Sequence, residues 1–155
     1  MRVETVIAGV DGSPAAEKAL EFAVEEATVR GARLRVVCAW HLPPELFAGG
    51  WAPAGNMLDS FRRGAEENVR TAVEVAKRLQ PSLECEGLAI EGQPAEVLLQ
   101  EAATGGGLVV VGNRGRGGFS SLLLGSVSHQ VVHHARCPVV VIPHPADLDE
   151  RPSSG

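Results

Sequence analysis

The sequence predicts an α/β fold: an open five-stranded parallel sheet with helices on both faces. Three observations carry the prediction. Short aliphatic, β-branched runs alternate with longer segments whose apolar residues recur at helical spacing. A helix separates each strand from the next, which is the crossover that parallel neighbours need. The runs LRVVCAW and LVVV are almost continuously apolar, as strands covered on both faces are.

The first strand is Val3 to Val10, VETVIAGV. Asp11-Gly12-Ser13-Pro14 turns the chain. Ser13 suits a helix N-cap, and Pro14 suits the first helical position, where no amide donor is needed. Ala16, Ala19, Leu20, Ala23, Val24 and Ala27 then mark a helix, which Gly31 ends. Leu34 to Trp40 is the second strand. His41 to Asn56 carries Pro43, Pro44, Gly49, Gly50, Pro53 and Gly55 and reads as a long loop, a place where function often resides. Leu58, Phe61, Ala65, Val69, Ala72, Val73, Ala76 and Leu79 trace the apolar stripe of a second helix, closed near Pro81. Its Glu66, Glu67 and Glu74 alternate with Arg62, Arg63, Arg70 and Lys77, a solvated face with i,i+4 pairing.

Leu83 to Ile90 is the third strand. A helix starts at Pro94 and breaks at Gly105-Gly106-Gly107. Leu108 to Val111 is the fourth strand. A glycine-rich stretch leads to a helix from Ser126 to Ala135, and Val139 to Ile142 is the fifth strand, entered through Pro138. Residues 1–143 read as one domain, and the polar tail 144–155 is expected to be disordered. No internal repeat is seen.

Composition narrows the function classes. The 155 residues carry a net charge of −5, so binding to nucleic acid through phosphate neutralisation is not expected. Neither is membrane association: there is no polybasic patch, and no apolar run approaches the roughly 20 residues of a span. The start, Met1-Arg2-Val3-Glu4, lacks a basic-then-apolar leader, so a cytoplasmic location is expected. Cys38, Cys85 and Cys137 are far apart, with no Cys-x-x-Cys pair, and read as buried thiols of a reducing compartment.

In such sheets ligands sit at the carboxyl ends of the strands, near the point where strand order reverses. That rule selects Asp11 to Ser13, Ala39 to His41, and the stretch from Gly112. Residues 112–128 read GNRGRGGFSSLLLGSVS and run from a strand end to a helix start. Glycines let backbone approach a ligand closely, and a helix N-terminus offers free amides and a positive dipole. Ser126 and Ser128 add hydroxyls; Arg114 and Arg116 add charge. The stretch is an anion cradle in an otherwise acidic protein; a plain flexible connector is the competing reading. Neither GxxxxGK[ST] nor GxGxxG is matched.

Gly112-x2-Gly115-x9-Gly125-Ser126 resembles the nucleotide motif G-2x-G-9x-G-[S/T] of the universal stress protein family, in its ATP-binding subclass. Val10-Asp11-Gly12-Ser13 resembles the family's opening turn, and Cys137-Pro138-Val139-Val140-Val141-Ile142 its closing strand, so the resemblance runs from Val3 to Ile142. It implies a Rossmann-like sheet in the order 3-2-1-4-5. It implies ATP, with Mg²⁺ accompanying the triphosphate, held by Gly9, Asp11, Ala39, Gly112, Asn113, Arg114, Gly115, Arg116, Gly125, Ser126, Val127 and Ser128. Asp11 would accept hydrogen bonds from the ribose, Ala39 would meet adenine through its backbone, Gly112 would pass close to the ribose, and Arg114, Gly115, Gly125, Ser126, Val127 and Ser128 would surround the phosphates. Asp11 has a competing role as a local Asx turn. The family often dimerises through its last strand, so Val139, Val140, Val141 and Ile142 are the expected homodimer edge.

The function expected is an ATP-binding stress-response switch that acts on an unknown regulatory partner, with nucleotide ordering the 113–124 and 41–56 loops. The alternatives are a slow ATP hydrolase or phosphotransferase, for which no convincing base is present, and a nucleotide-free assembly module. His129-Gln130-Val131-Val132-His133 resembles the zinc-protease helix HExxH, but Gln130 stands where the proton-accepting glutamate belongs. A surface or packing role is expected for these histidines. Trp40 and Trp51 flank the long loop, and either pocket lining or loop packing suits them.

Overall fold

The structure is a computed structural model that describes residues 1–50, 55–104, 106–114, 124–144 and 146. Its elements in chain order are β1 (Thr5–Gly9), α1 (Pro14–Arg30), β2 (Arg33–Trp40), α2 (Gly55–Leu79), β3 (Cys85–Glu91), α3 (Pro94–Ala102), β4 (Gly107–Gly112), α4 (Ser126–His134) and β5 (Val139–Ile142). The strands form one all-parallel sheet in the order β3-β2-β1-β4-β5, as the resemblance implied.

Strand alternation divides the core into two layers. On one face Val6, Ala8, Leu34, Val36, Leu108 and Val110 pack against Ala19, Leu20, Ala23, Val24 and Ala27 of α1 and Ala72 and Ala76 of α2. On the other, Ile7, Val37, Val109 and Val111 pack against Ala95, Val97, Leu98 and Ala102 of α3 and Val131 of α4. The central strands β1 and β4 are therefore buried on both sides, which is why their sequences lack a polar face. Full burial of each Val or Ile contributes about 1.5–3 kcal/mol, so β1 and β4 anchor everything built at their ends.

Most boundaries lie within two residues of the sequence reading, and the larger differences have local causes. The long loop is shorter than 41–56. It contains a 3₁₀ turn at Pro44–Phe47, and α2 already includes Gly55 and Asn56. First-turn residues need no intrahelical amide partner, so poor helix formers are tolerated there. The third strand begins at Cys85 rather than Leu83, because the Leu83 amide donates to the Gln80 carbonyl (3.1 Å) in a turn that closes α2.

The apolar stripe of α2 is also only partly core. Ala65, Val69, Ala72 and Ala76 are buried, whereas Leu58, Phe61 and Leu79 are exposed. At 1.5 Å per residue a helix of this length is about 37 Å long, whereas the strand it covers spans about 26 Å, so its ends overrun the sheet. The polar face pairs as expected: Arg70 binds Glu67 and Glu74, and Arg62 binds Asp59 and Glu66.

Of the thiols only Cys38 is fully buried. Cys85 and Cys137 are half-buried, and burial pushes both thiols up. Among the described residues no helix is long and apolar enough to cross a membrane. Of the expected disordered tail 144–155, only His144 and Ala146 are among the described residues; Trp51 lies outside them as well.

Candidate functional site

The carboxyl ends of β1, β2 and β4 are neighbours in the sheet, so three chain segments far apart in sequence meet at one edge: Gly9 to Asp11, Ala39 to His41, and Gly112 to Arg114. Two helices, α1 and α4, start there.

The β1–α1 turn is tight. Asp11 Oδ1 accepts a hydrogen bond from the Ser13 amide (2.9 Å), so the Asx turn is present and holds the carboxylate in one orientation. Gly12 has φ +82°, a left-handed conformation that glycine adopts without strain. Ser13 is buried, and its Oγ accepts from the Ala16 amide (3.3 Å) as the N-cap of α1. Asp11 itself is half-buried.

Gly112 ends β4 directly under α1. A Cβ there would lie 2.7 Å from Ala15 Cβ and 2.9 Å from the Ala15 carbonyl carbon. Those are backbone and stub atoms that cannot swing away, so Gly112 is required for packing whether or not a ligand passes it. Gly9 is similar but less severe: a Cβ would meet Leu98 at 3.0 Å and Val111 at 3.2 Å.

Asn113 is the hub of the site. It is buried, its amide donates to the Ile142 carbonyl of β5 (2.8 Å), and its carbonyl accepts from the Gly125 amide and from Ser128 Oγ (3.0 Å). Ser128 Oγ also lies 3.2 Å from the Gly125 carbonyl. The Asn113 backbone, through the N–H of one peptide plane and the C=O of the next, thus ties the end of β4, the end of β5 and the first turn of α4 together. Sequence reasoning put Asn113 among the nucleotide-site residues and Ser128 at the phosphates; the structure gives both a fastening role where β4 and α4 meet. Nothing local in the sequence signals this, because the partners are contributed by β5 and α4.

At α4 the N-cap is Gly125, which has no capping side chain. The helix's first intrahelical bond runs from the His129 amide to the Gly125 carbonyl (3.0 Å). The amides of Ser126, Val127 and Ser128 precede it and point out of the helix end, where the dipole is positive. Ser126 is exposed, and the Val127 side chain packs into the second core layer. Ala39 is half-buried against that same layer, and Arg114 is half-buried at the excursion's root. Gly115 and Arg116 lie outside the described residues.

The fold and this edge have counterparts among known proteins. The family model for the universal stress protein family matches residues 2–143. This chain belongs to the universal stress protein family. A universal stress protein of Mycobacterium tuberculosis is 35% identical over 142 residues, covering 88% of this chain and 44% of that protein. The chain thus spans less than half the length of several of the relatives it matches. A Thermus aquaticus universal stress protein is 36% identical, covering 90% of this chain and 98% of that one. Two solved members of the universal stress protein family, each 25% identical, hold nucleotides. One is in complex with cAMP (TM-score 0.70, covering 93% of this chain and 99% of that chain). The other, from Archaeoglobus fulgidus, is in complex with dAMP (TM-score 0.63, covering 92% and 99%).

Elsewhere on α4, His129 and His133 stack with ring centroids 6.2 Å apart, and His134 meets His133 edge-on at 4.8 Å. All three are exposed, which is the surface role expected for them.

Proposed function

We propose that this chain binds an adenine nucleotide, ATP foremost, at the carboxyl edge between β1 and β4, and works as a nucleotide-dependent regulatory switch. The observation that carries the reading is the start of α4: a helix N-terminus with a side-chain-free cap, rooted at the strand-order reversal. The cAMP and dAMP complexes of two relatives support a nucleotide of this class.

In this reading the α4 amides and Ser126 receive phosphate oxygens, and Arg114, Gly115 and Arg116 border them. Asp11, aimed by the Ser13 amide, accepts from the ribose hydroxyls. Gly9 and Gly112 keep that edge free of side chains, and the Ala39 backbone meets the base. Asn113 and Ser128 hold α4 in position. Mg²⁺ would enter on the triphosphate, because among the described residues no cluster of His, Cys, Asp and Glu could hold a metal ion. Asp11 is the carboxylate of this edge among the described residues and serves the ribose in this reading, so ATP turnover is expected far below about 1 per second.

The edge position of β5 and the half-buried state of Val139, Val140, Val141 and Ile142 support a homodimer through this strand. Sedimentation at rising concentration tests it; a monomer throughout removes it.

Calorimetric ATP titration tests the site. Asp11→Asn keeps an Oδ1 acceptor for the Ser13 amide but removes the charge, so it separates the two roles of this residue. Weakened ATP binding with unchanged stability supports the ribose role, and unchanged ATP binding removes it. The switch itself needs two states of different nucleotide affinity. Hydrogen exchange with and without ATP should differ at the first turn of α4; identical exchange argues for storage or assembly instead.

A further inference from the structure

We propose that His129 and His133 form a binding site on the outer face of α4 for an imidazole-seeking divalent cation, of the Ni²⁺, Cu²⁺ and Zn²⁺ class. The two residues are one helical turn apart, at i and i+4, so their side chains rise from the same strip of the helix. Both are exposed. Their rings already face each other, with 5° between planes and 6.2 Å between centroids.

An imidazole nitrogen sits about 2.1 Å from such a metal, and two rings sharing one ion in adjacent positions have centroids about 5 Å apart. Imidazole lone pairs lie in the ring plane, so the two parallel rings must turn toward a shared point and close by about 1 Å, which side-chain rotation supplies without moving the helix. Both ligands stand on one rigid element, so little order is lost on binding.

The neighbours define what the site is not. His134 Nδ1 lies 3.0 Å from the Gln130 carbonyl, so that nitrogen is engaged by the backbone, while the ring packs edge-on against His133. Gln130 stands where a hydrolytic helix would carry its general base, so the site binds without cleaving. Among the described residues no third His, Cys, Asp or Glu completes a metal cluster. Two neutral nitrogens and no carboxylate select borderline transition metals over Mg²⁺ and Ca²⁺, which take oxygen ligands. The remaining positions belong to water or to a group from another molecule. The site stands apart from any Mg²⁺ carried by a nucleotide and does not rest on the nucleotide reading.

The test uses the untagged full chain, free of nucleotide, titrated with Ni²⁺ alone by calorimetry. Paramagnetic broadening of histidine ring signals is followed in parallel by NMR. One ion per chain is expected, with His129 and His133 broadened first. His129→Gln or His133→Gln should each lower the affinity about tenfold or more, and His134→Gln should leave it unchanged. Excess Mg²⁺ should not compete. Absence of saturable Ni²⁺ binding, or equal affinity in wild type, His129→Gln and His133→Gln, would overturn the proposal. All three positions are exposed, so these variants keep the fold, which unfolding curves verify.

Discussion

Two helices begin at the same edge of the sheet, and they begin in opposite ways. α1 follows β1 after a tight turn in which Asp11 binds the Ser13 amide, Ser13 caps Ala16, and Pro14 has no amide to offer. α4 follows β4 after a long glycine-rich excursion and starts with a bare Gly125 cap. The dipoles are alike, but a side chain caps the first turn of α1 and none caps that of α4. The difference teaches that a helix N-terminus becomes an anion site through what its cap residue omits.

The strongest way to break this contrast is to fill the seam between the two helices. Gly112→Ala drives a Cβ into Ala15 backbone and should destabilise the fold by about 2–3 kcal/mol, read by urea unfolding. Next, Gly125→Asp gives α4 the cap that α1 already has. ATP affinity should fall about tenfold or more, about 1.4 kcal/mol, while the urea midpoint holds or rises slightly. Ser13→Ala is the mirror experiment: about 1 kcal/mol of stability lost, with ATP affinity nearly unchanged. If Ser13→Ala weakened ATP binding more than Gly125→Asp, the anion site would belong to α1. Ser128→Ala removes the hydroxyl bonded to the Asn113 carbonyl and should cost about 1 kcal/mol, with faster hydrogen exchange in the first turn of α4.

The smallest expected effect lies just beyond the other end of α4. Burial pushes the half-buried Cys137 thiol up, with the Val109 backbone bond opposing. The unfolded chain therefore ionises first as pH rises, so this contribution is complete at neutral pH and is lost above the ordinary thiol range near 8.5. Stability measured from pH 7 to 10 should decline less steeply in Cys137→Ala.

Periodicity and turn chemistry made the strand–helix alternation legible, along with the Ser13 cap, the Asp11 turn and the Gly31 stop, because each is decided within a few residues. Sheet order was legible only through family resemblance, since nothing in β1 itself says that β2 and β4 flank it. The exposure of Leu58 and Phe61 was not legible, because helical spacing carries no information about where the sheet ends. At the site, glycine positions were legible but their reasons were not: Gly112 answers to Ala15, ninety-seven residues away in the chain. Ser128 reads as a free hydroxyl until the fold brings the Asn113 carbonyl to it.

The backbone of Asn113 has a mechanical corollary. Its nitrogen grips the outermost strand, and its oxygen grips the root of α4. The two groups sit on adjacent rigid peptide planes that meet at one Cα, with only the φ and ψ of Asn113 between them. Any load that displaces β5, such as a second molecule leaning on that rim, is levered within one residue onto the mouth of the helix.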